Sequence, residues 1–247
     1  MADIVLKYTL QSGDLLTKDS KEFIQGSASA IVFAFELLPL GLLFGAMSAD
    51  VGLSATAAIG MSGLVFAGAS QFLAITMLSA GASMTTIVLS TLFINLRHFL
   101  MSSYVAGVIP GRRLASYLPV GLFITDESFA LASQRLGRNG KVSYYYIVGA
   151  NLSIYVQWMI ATLAGIWLGS ALPGLADLGM QAALYALFAA ILALSLSNWV
   201  DVLAAVLAAI LAILFTIYGH PNLAVLLASL LASITMLGVQ KWTHKSG

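Results

Sequence analysis

The segment "TLFINLRHFLMSS", residues 91–103, places three polar side chains in the middle of an apolar run: Asn95, Arg97 and His98. A charge at the centre of a membrane helix costs about 2.5–3.5 kcal/mol of insertion free energy, whereas each Leu, Ile or Phe returns only about 0.3–0.6 kcal/mol. The segment can therefore insert into a bilayer with Arg97, but this side chain is not expected to face lipid. It needs a carboxylate partner or a water-filled cavity inside a helix bundle.

Carboxylates that could meet Arg97 are few, and those within apolar segments are Glu36, Asp126, Glu127 and Asp201. The segment "LFITDESFALA" carries Asp126 and Glu127 at its centre. Adjacent positions on a helix point about 100° apart, so both carboxylates cannot face the same cation equally well. We expect Arg97 to pair with one of the two, which leaves the other for protons or substrate. The alternative is an ion pair that only locks two helices together, although desolvation offsets most of the attraction in such pairs.

A third polar group lies in "FAGASQFLA", residues 66–74. Gly68 and Ala69 permit close approach of another backbone, and Ser70 and Gln71 follow directly with a hydroxyl and an amide. A helix that loosens at this point exposes backbone hydrogen-bonding groups to a ligand, as the interrupted helices of transporters do. The Gly-x-x-x-Gly pairs at 41–45 and 165–169 are interpreted as helix-packing contacts.

The composition is that of a membrane protein. Of the 247 residues, 60% are hydrophobic and 9% are charged, which is too little charge to cover the surface of a soluble domain. The net charge of +1 argues against a nucleic-acid partner. The absence of cysteine excludes disulfides, Cys-ligated zinc and a thiol nucleophile. The sequence also lacks a His-Glu-x-x-His motif, so no metal ion or other cofactor is expected.

Apolar runs near the roughly 20 residues that cross a bilayer recur along the chain. We predict an all-α polytopic membrane protein with eight transmembrane spans, near 23–48, 55–78, 84–109, 116–135, 144–170, 180–198, 200–217 and 221–239. The block 180–217 is interrupted only around Asn198 and Asp201, so seven spans are the alternative. Since no long hydrophilic loop occurs, residues 23–239 are expected to form a single bundle between cytosolic tails at 1–22 and 240–247.

The distribution of Lys and Arg predicts the orientation. With eight spans, eight of the 11 Lys and Arg residues fall on one side, two on the other, and Arg97 lies within the membrane. With seven spans the division would be six against four. Because cytoplasmic loops carry the excess of positive residues, we expect eight spans with both termini in the cytoplasm.

Two short segments suggest an internal repeat. "LPLGLL" at 38–43 and "LPVGLF" at 118–123 share Leu, Pro, Gly and Leu at the same places, although the chain has only five prolines. The offset corresponds to three spans, and an odd number of spans inverts the orientation. This predicts an inverted repeat of spans one to three and four to six, as in secondary transporters whose site lies at the repeat interface. Coincidence in apolar sequence of low diversity is the other interpretation.

The segments "FAGASQF", "INLRHFLMS" and "TDESFALA", in this order and spacing, resemble the AzlC family, the large subunits of bacterial branched-chain amino acid exporters. The resemblance extends from about Gly26 to Gly238. It implies a multi-pass transporter of the bacterial cytoplasmic (inner) membrane that exports leucine, isoleucine, valine and analogues, with methionine a substrate of relatives. It also implies a small membrane subunit of the AzlD type as partner.

An aliphatic amino acid is a zwitterion with an apolar tail, so its carboxylate needs a cation or helix N-terminal amides and its ammonium needs a carboxylate. The substrate-binding residues that we predict are Gly68, Ala69, Ser70, Gln71, Asn95, Arg97 and Asp126, and those for proton coupling or ion pairing are His98, Asp126, Glu127 and Glu36. In this hypothesis Arg97 or opened backbone near Gly68 receives the carboxylate, and Asp126 receives the ammonium. Histidine titrates near neutral pH, but a neutral His98 bonded to a carbonyl is the alternative.

Other function classes remain as alternatives. Gly68-x-Ser70 resembles the Gly-x-Ser of rhomboid proteases, which would need a histidine such as His98 or His220 as base. A hydrolase would leave the buried charges without a role, so an enzyme is not expected. A channel would more often show a polar stripe along its helices, whereas the polar groups here cluster at one depth. An importer would use the same site, so the direction of transport rests on the resemblance.

Overall fold

The computed structural model describes residues 18–109, 114–171, 189, 192–193, 196, 198–218, 227–228, 231–232 and 234–236. The fold over these residues is all-helical, as predicted, and they contain no strand. In chain order the helices are α1 (Lys18–Asp50), α2 (Ala55–Val65), α3 (Gly68–Ser79), α4 (Met84–Val108), α5 (Leu114–Leu122), α6 (Asp126–Asn139), α7 (Tyr144–Ala171) and α8 (Trp199–Ile217).

Four of the described helices are long and apolar enough to cross a membrane by themselves: α1, α4, α7 and α8. They coincide with predicted spans one, three, five and seven. Span two corresponds to α2 and α3, and span four to α5 and α6, each pair being separated by a break. Spans six and eight fall mostly outside the described residues, so the total of eight spans stays a prediction.

The break in span two follows a change of helix type. The last five residues of α2, Met61–Val65, form a π-helix, and Phe66 then adopts the left-handed conformation with φ 45° before α3 begins at Gly68. Phe66 is the only non-glycine residue with a positive φ in the described part of the chain. Loosening of the helix was expected over Gly68–Gln71, but these residues form the first turn of α3 and the break precedes them.

The break in span four lies between Leu122 and Asp126. Thr125 caps α6: its hydroxyl accepts from the amide of Ser128, and the Ser128 hydroxyl accepts from the amide of Thr125. This reciprocal pair is a capping box in which serine stands where Glu or Gln is usual. Asp126 and Glu127 are therefore in the first turn of a helix, not in the middle of a continuous one.

The positions of the helix breaks do not follow the predicted internal repeat. Span two would correspond to span five, but α7 is unbroken over Tyr144–Ala171. Span four would correspond to span one, and α1 contains only a 3-10 turn at Ile31–Phe33 and Pro39 within the helix. Interruptions of the helix therefore fall at positions that the repeat would not relate.

Glycines let α1 and α7 pack closely, as predicted for the two Gly-x-x-x-Gly pairs. A Cβ at Gly45 would meet the carbonyl oxygen of Thr162, and a Cβ at Gly165 would meet that of Leu42. The same holds further along for Gly26 against the Tyr146 carbonyl and for Gly149 against that of Phe23, whereas a Cβ at Gly41 would meet the Cβ of Ala161 and one at Gly169 the backbone of Ala46. Backbone contact of this kind is how small residues associate membrane helices.

An ion pair joins the start of span one to the end of span four, which were predicted to lie on the same side of the membrane. Arg135 near the end of α6 donates to Glu22 at 2.6 Å, and its guanidinium lies 4.1 Å from the ring centre of Tyr146. The basic residues 18–22 and 135–141 are consequently at one end of these helices, as the predicted orientation requires.

The chain divides into two compact units. The first comprises Met1–Gln71 and Asn95–Ala171, and the second comprises Phe72–Ile94 and Leu172–Gly247. In the second unit Asn198 caps α8 with Asp201 as its reciprocal partner, so the helix begins where the sequence predicted an interruption. Asp201 therefore has a capping role. The residues of the candidate site all belong to the first unit; they are Glu36, Gly68, Ala69, Ser70, Gln71, Asn95, Arg97, His98, Asp126 and Glu127.

Candidate functional site

The centre of the candidate site is an ion pair between spans three and four. A terminal guanidinium nitrogen of Arg97 lies 3.0 Å from a carboxylate oxygen of Asp126. Arg97 is the fourteenth of the 25 residues of α4, so the pair lies halfway along a membrane-spanning helix. The side chains are 40% and 53% exposed, so both charges face accessible space. The structure thus selects Asp126 as the partner, a choice that the sequence left open.

Asp126 is also placed at a favourable end of a helix. It is the first residue of α6, where the unpaired amides give the terminus a partial positive charge that stabilises an anion. Its neighbour Glu127 is half-buried and interacts with the Thr125 side chain. The two carboxylates thus have different surroundings, as expected for adjacent helical positions.

Further ionisable groups lie within electrostatic range of this pair. Glu36 of α1 interacts with both Glu127 and Asp126. His98 interacts with Arg97 and Asp126. Glu36, His98 and Glu127 therefore lie within electrostatic range of Asp126, although Glu36 is 90 residues from it in the sequence.

The second polar contact of the site joins Ser70 of α3 to Asn95 of α4. The side-chain amide of Asn95 donates to the hydroxyl of Ser70 at 3.1 Å, and this hydroxyl donates to the carbonyl of Ala67 at 2.9 Å. The carbonyl oxygen of Asn95 is buried and has no hydrogen-bond partner among the described residues, and the same is true of Nε of Arg97. Asn95 and Arg97, two residues apart in α4, therefore retain one unpaired acceptor and one unpaired donor.

Gln71 has a different environment from the one predicted for a substrate ligand. Its side chain is fully buried, its amide donates to Ser62 at 2.9 Å, and its carbonyl accepts from the indole of Trp158 at 3.1 Å. Ser62 also bonds Thr162 at 2.9 Å. Because Ser62 precedes the break and Gln71 follows it, this network holds the two halves of span two against α7.

Gly68 and Ala69 lie beside this network. A Cβ at Gly68 would lie 3.1 Å from the Trp158 ring, so a larger residue would require the indole to shift by a few tenths of an ångström. Ala69 is partly exposed. Glycine at position 68 thus lets the Trp158 ring pack closely on the start of α3.

Polar side chains satisfy carbonyl groups near both breaks. Ser102 donates to Gly121 at 3.1 Å and Asn151 to Val120 at 3.3 Å, both near the end of α5. The Tyr155 hydroxyl donates to Gly63 at 3.4 Å, near the end of α2. Irregular backbone survives at membrane depth only where such partners exist. Sequence reasoning missed Ser102, Asn151 and Tyr155, although polar groups within apolar spans were the available signal.

Three aromatic rings meet at the breaks. Phe66 at the first break lies 6.1 Å, centre to centre, from Phe123 at the second. The Tyr155 ring of α7 lies 5.0 Å from that of Phe66 and 5.3 Å from that of Phe123, in edge-to-face geometry. We call these residues the aromatic triad. It connects the two broken spans through packing, in addition to the ionic contact between α4 and α6.

The arrangement offers no evident place for a metal ion. Within the described ranges, no group of three or more His, Asp or Glu side chains is placed to hold one. The chemistry available is that of hydrogen bonding, ion pairing and proton exchange around Arg97 and Asp126.

Comparison with known proteins identifies the family. The model of the family described as "AzlC protein" matches residues 32–172, which include both broken spans and the Arg97–Asp126 pair. The chain belongs to the AzlC family. It is 30% identical over 155 residues to the "Inner membrane protein YgaZ" of Escherichia coli K12, covering 62% of this chain and 63% of YgaZ.

Other relatives of the chain are membrane proteins as well. A membrane protein of Archaeoglobus fulgidus is 31% identical over 155 residues, which covers 62% of this chain and 65% of the relative. One from Helicobacter pylori 26695 is 30% identical over 152 residues, with 61% and 65% covered. The matches thus span slightly less than two thirds of these relatives' lengths. No solved structure matches the chain. This AzlC-family chain is therefore a membrane protein.

Proposed function

We propose that this protein is a secondary active transporter that exports branched-chain amino acids across the bacterial cytoplasmic membrane. Leucine, isoleucine and valine are the proposed substrates, with methionine as a further one, and protons are the proposed coupling ion. The observation that carries the proposal is the half-exposed Arg97–Asp126 pair, halfway along α4 and next to the helix break that precedes Asp126.

The two charges match the two ends of a zwitterion. In the proposed mechanism the substrate carboxylate takes one face of the Arg97 guanidinium, and its ammonium group takes the free oxygen of Asp126. These two contacts are added to the Arg97–Asp126 pair, so every charge stays paired. This matters because an unpaired charge at this depth would cost several kcal/mol. The unpaired Asn95 carbonyl supplies a neutral acceptor nearby.

Proton coupling is assigned to the carboxylates that do not hold Arg97. Glu127 and Glu36 lie near each other and near Asp126, so protonation of either changes the charge that the substrate ammonium meets. His98 is the other proposed proton carrier because it lies beside Arg97. One proton exchanged for one zwitterion would make transport respond to the proton gradient.

The contacts of Ser70 favour transport over hydrolysis. A serine nucleophile needs a general base within hydrogen-bond reach. The hydroxyl of Ser70 instead donates to a backbone carbonyl and accepts from the amide of Asn95, and neither group is a base. We therefore propose that Ser70 positions Asn95 and that the protein is not an enzyme.

The partner is proposed from the family resemblance. A small AzlD-type membrane subunit would complete a heteromeric exporter in the lipid bilayer, and the long apolar helix α8, which has no buried residue, would face lipid or this subunit.

Efflux from cells loaded with dipeptides tests the proposal. Cells that hydrolyse Leu-, Ile- or Val-containing dipeptides accumulate the free amino acid, and efflux is followed with and without this protein, each with and without the AzlD-type subunit. We expect faster efflux of these amino acids and resistance to their toxic analogues when the protein is present. Equal efflux and equal resistance in all the strains would overturn the substrate assignment.

A further inference from the structure

We infer that the aromatic triad, Phe66, Phe123 and Tyr155, is the wall against which the side chain of the transported solute packs, so that these rings limit which side chains are accepted. The inference rests on the proposed function and adds to it the residues that determine specificity. Its basis is that the three rings meet at the two helix breaks. Polar residues of the site follow each break within a few residues.

Only a few residues of the chain separate the rings from the polar groups of the site. Asp126 is three residues after Phe123, and Ser70 is four residues after Phe66. An extended chain advances at most about 3.6 Å per residue, so Asp126 lies within about 11 Å of Phe123 along the backbone. In an amino acid the side chain is attached to the carbon that carries both charged groups. A solute whose ammonium contacts Asp126 therefore brings its side chain into the region of the rings.

The conformation of Phe66 indicates that its ring is required at this place. Left-handed backbone costs an L-residue about 1–2 kcal/mol and is usually adopted by glycine or asparagine. Phe66 adopts it with φ 45°, and its ring is 6% exposed between those of Phe123 and Tyr155. The ring packing thus offsets a backbone cost that glycine would avoid, and strain of this kind concentrates at functional sites.

The other two rings have surface to offer. Phe123 and Tyr155 are partly exposed although each packs edge-on against its neighbours. A wall made of rings in mutual contact is stiff, since a ring can move only if its partners move. It accepts a flexible aliphatic side chain along the exposed surface and leaves little room for a second large planar ring.

Competitive efflux of valine, leucine and phenylalanine tests the inference. We expect Phe123→Ala to raise the ratio of phenylalanine to valine efflux by about tenfold or more, because hydrophobic pockets discriminate by about 10- to 200-fold per methylene-sized change. Phe123→Leu keeps an apolar side chain and should raise the ratio less. It also serves as the second variant if Phe123→Ala does not accumulate in the membrane. All rates are normalised to the amount of protein in the membrane.

Two control variants separate the wall from general damage. Trp167→Ala removes a ring that is 70% exposed on α7, the helix of Tyr155, and lies outside the triad, so the selectivity should not change. Phe99→Ala removes a ring of the same size that is 70% exposed on α4 and lies outside the triad, and it should leave the ratio unchanged.

The outcomes distinguish the inference from the function on which it rests. If the unaltered protein exports valine and leucine but both Phe123 variants lower all three rates equally, the wall is elsewhere and the transport assignment stands. If the unaltered protein exports none of the three amino acids, the transport assignment fails and the inference fails with it. A raised ratio in the Phe123 variants together with unchanged controls supports both.

Discussion

The guanidinium of Arg97 on α4 and the carboxylate of Asp126 at the start of α6 lie 3.0 Å apart, halfway along two membrane spans. The relationship depends on the break in span four. In a continuous helix Asp126 would follow the regular hydrogen-bonding pattern, whereas at a helix N-terminus it lies beside free amides that stabilise its charge. Arg97 thus meets an anion that is already stabilised, which leaves part of the guanidinium for a second anion.

We predict that Arg97→Gln lowers transport by more than about tenfold, which corresponds to about 1.4 kcal/mol of lost interaction. Glutamine fills similar space but supplies no charge for the substrate carboxylate, and it leaves Asp126 unpaired. Efflux per amount of protein in the membrane is the measurement. Arg138→Gln is the matched control, because Arg138 is exposed near the end of α6 and its loss should leave efflux unchanged. Unaltered efflux in Arg97→Gln would remove this residue from the site.

A second prediction concerns the buried network of Gln71. Gln71→Leu removes the bonds to Ser62 and Trp158. The Trp158 indole N–H is then buried without an acceptor, at a cost of about 1–3 kcal/mol, whereas Ser62 keeps its bond to Thr162. We expect thermal unfolding in detergent at clearly lower temperature. Thr76→Val is the control, since the Thr76 hydroxyl only donates to the carbonyl of Phe72 one turn earlier. Similar unfolding temperatures for the two variants would mean that the network does not hold the break.

The sequence predicted the helical membrane fold from its composition and the family from the resemblance of three ordered motifs. It located the ion pair on spans three and four because a buried cation needs an anion. It did not choose between Asp126 and Glu127, since that choice depends on where α6 begins. Thr125 and Ser128 determine this start through a capping box that lacks the usual Glu or Gln.

Other features of the structure depend on contacts between distant segments. Gln71 was predicted to bind substrate, but its environment is determined by Trp158, which is 87 residues away. The aromatic triad was not predicted either, because its three rings come from spans two, four and five and share no local pattern. Aromatic residues are common in membrane helices, so only their meeting at the two breaks distinguishes these.

The packing of α1 on α7 gives a third prediction. Gly45→Val should strongly reduce the amount of folded protein, because the valine side chain would overlap the carbonyl oxygen of Thr162 and the amide nitrogen of Ile166. Backbone cannot move aside as a flexible side chain can, so the helices must separate. Gly107→Ala is the control, since a Cβ at Gly107 meets nothing within 4 Å. Membrane abundance and the elution profile in detergent are the measurements, and a normal profile for Gly45→Val would contradict the close approach.

Proton coupling gives the last prediction, on a carboxylate that does not contact Arg97. We expect Glu127→Gln to retain exchange of labelled for unlabelled leucine across liposome membranes and to lose the acceleration that a pH gradient produces. The physical reason is that glutamine keeps the shape and hydrogen-bonding ability of the side chain near Thr125 but cannot carry a proton. Arg97→Gln should behave differently and lose both activities, because the substrate itself is then bound poorly.

Glu36→Gln in the same assay determines whether the proton is shared. Glu36 lies within electrostatic range of Glu127, so a proton held between the two carboxylates would make both variants insensitive to the gradient. If only Glu127→Gln loses gradient dependence, Glu127 alone carries the proton. Gradient-driven transport that persists in both single variants and in the double variant would move the coupling to His98 or to another ion, since no charge at either carboxylate would then be needed.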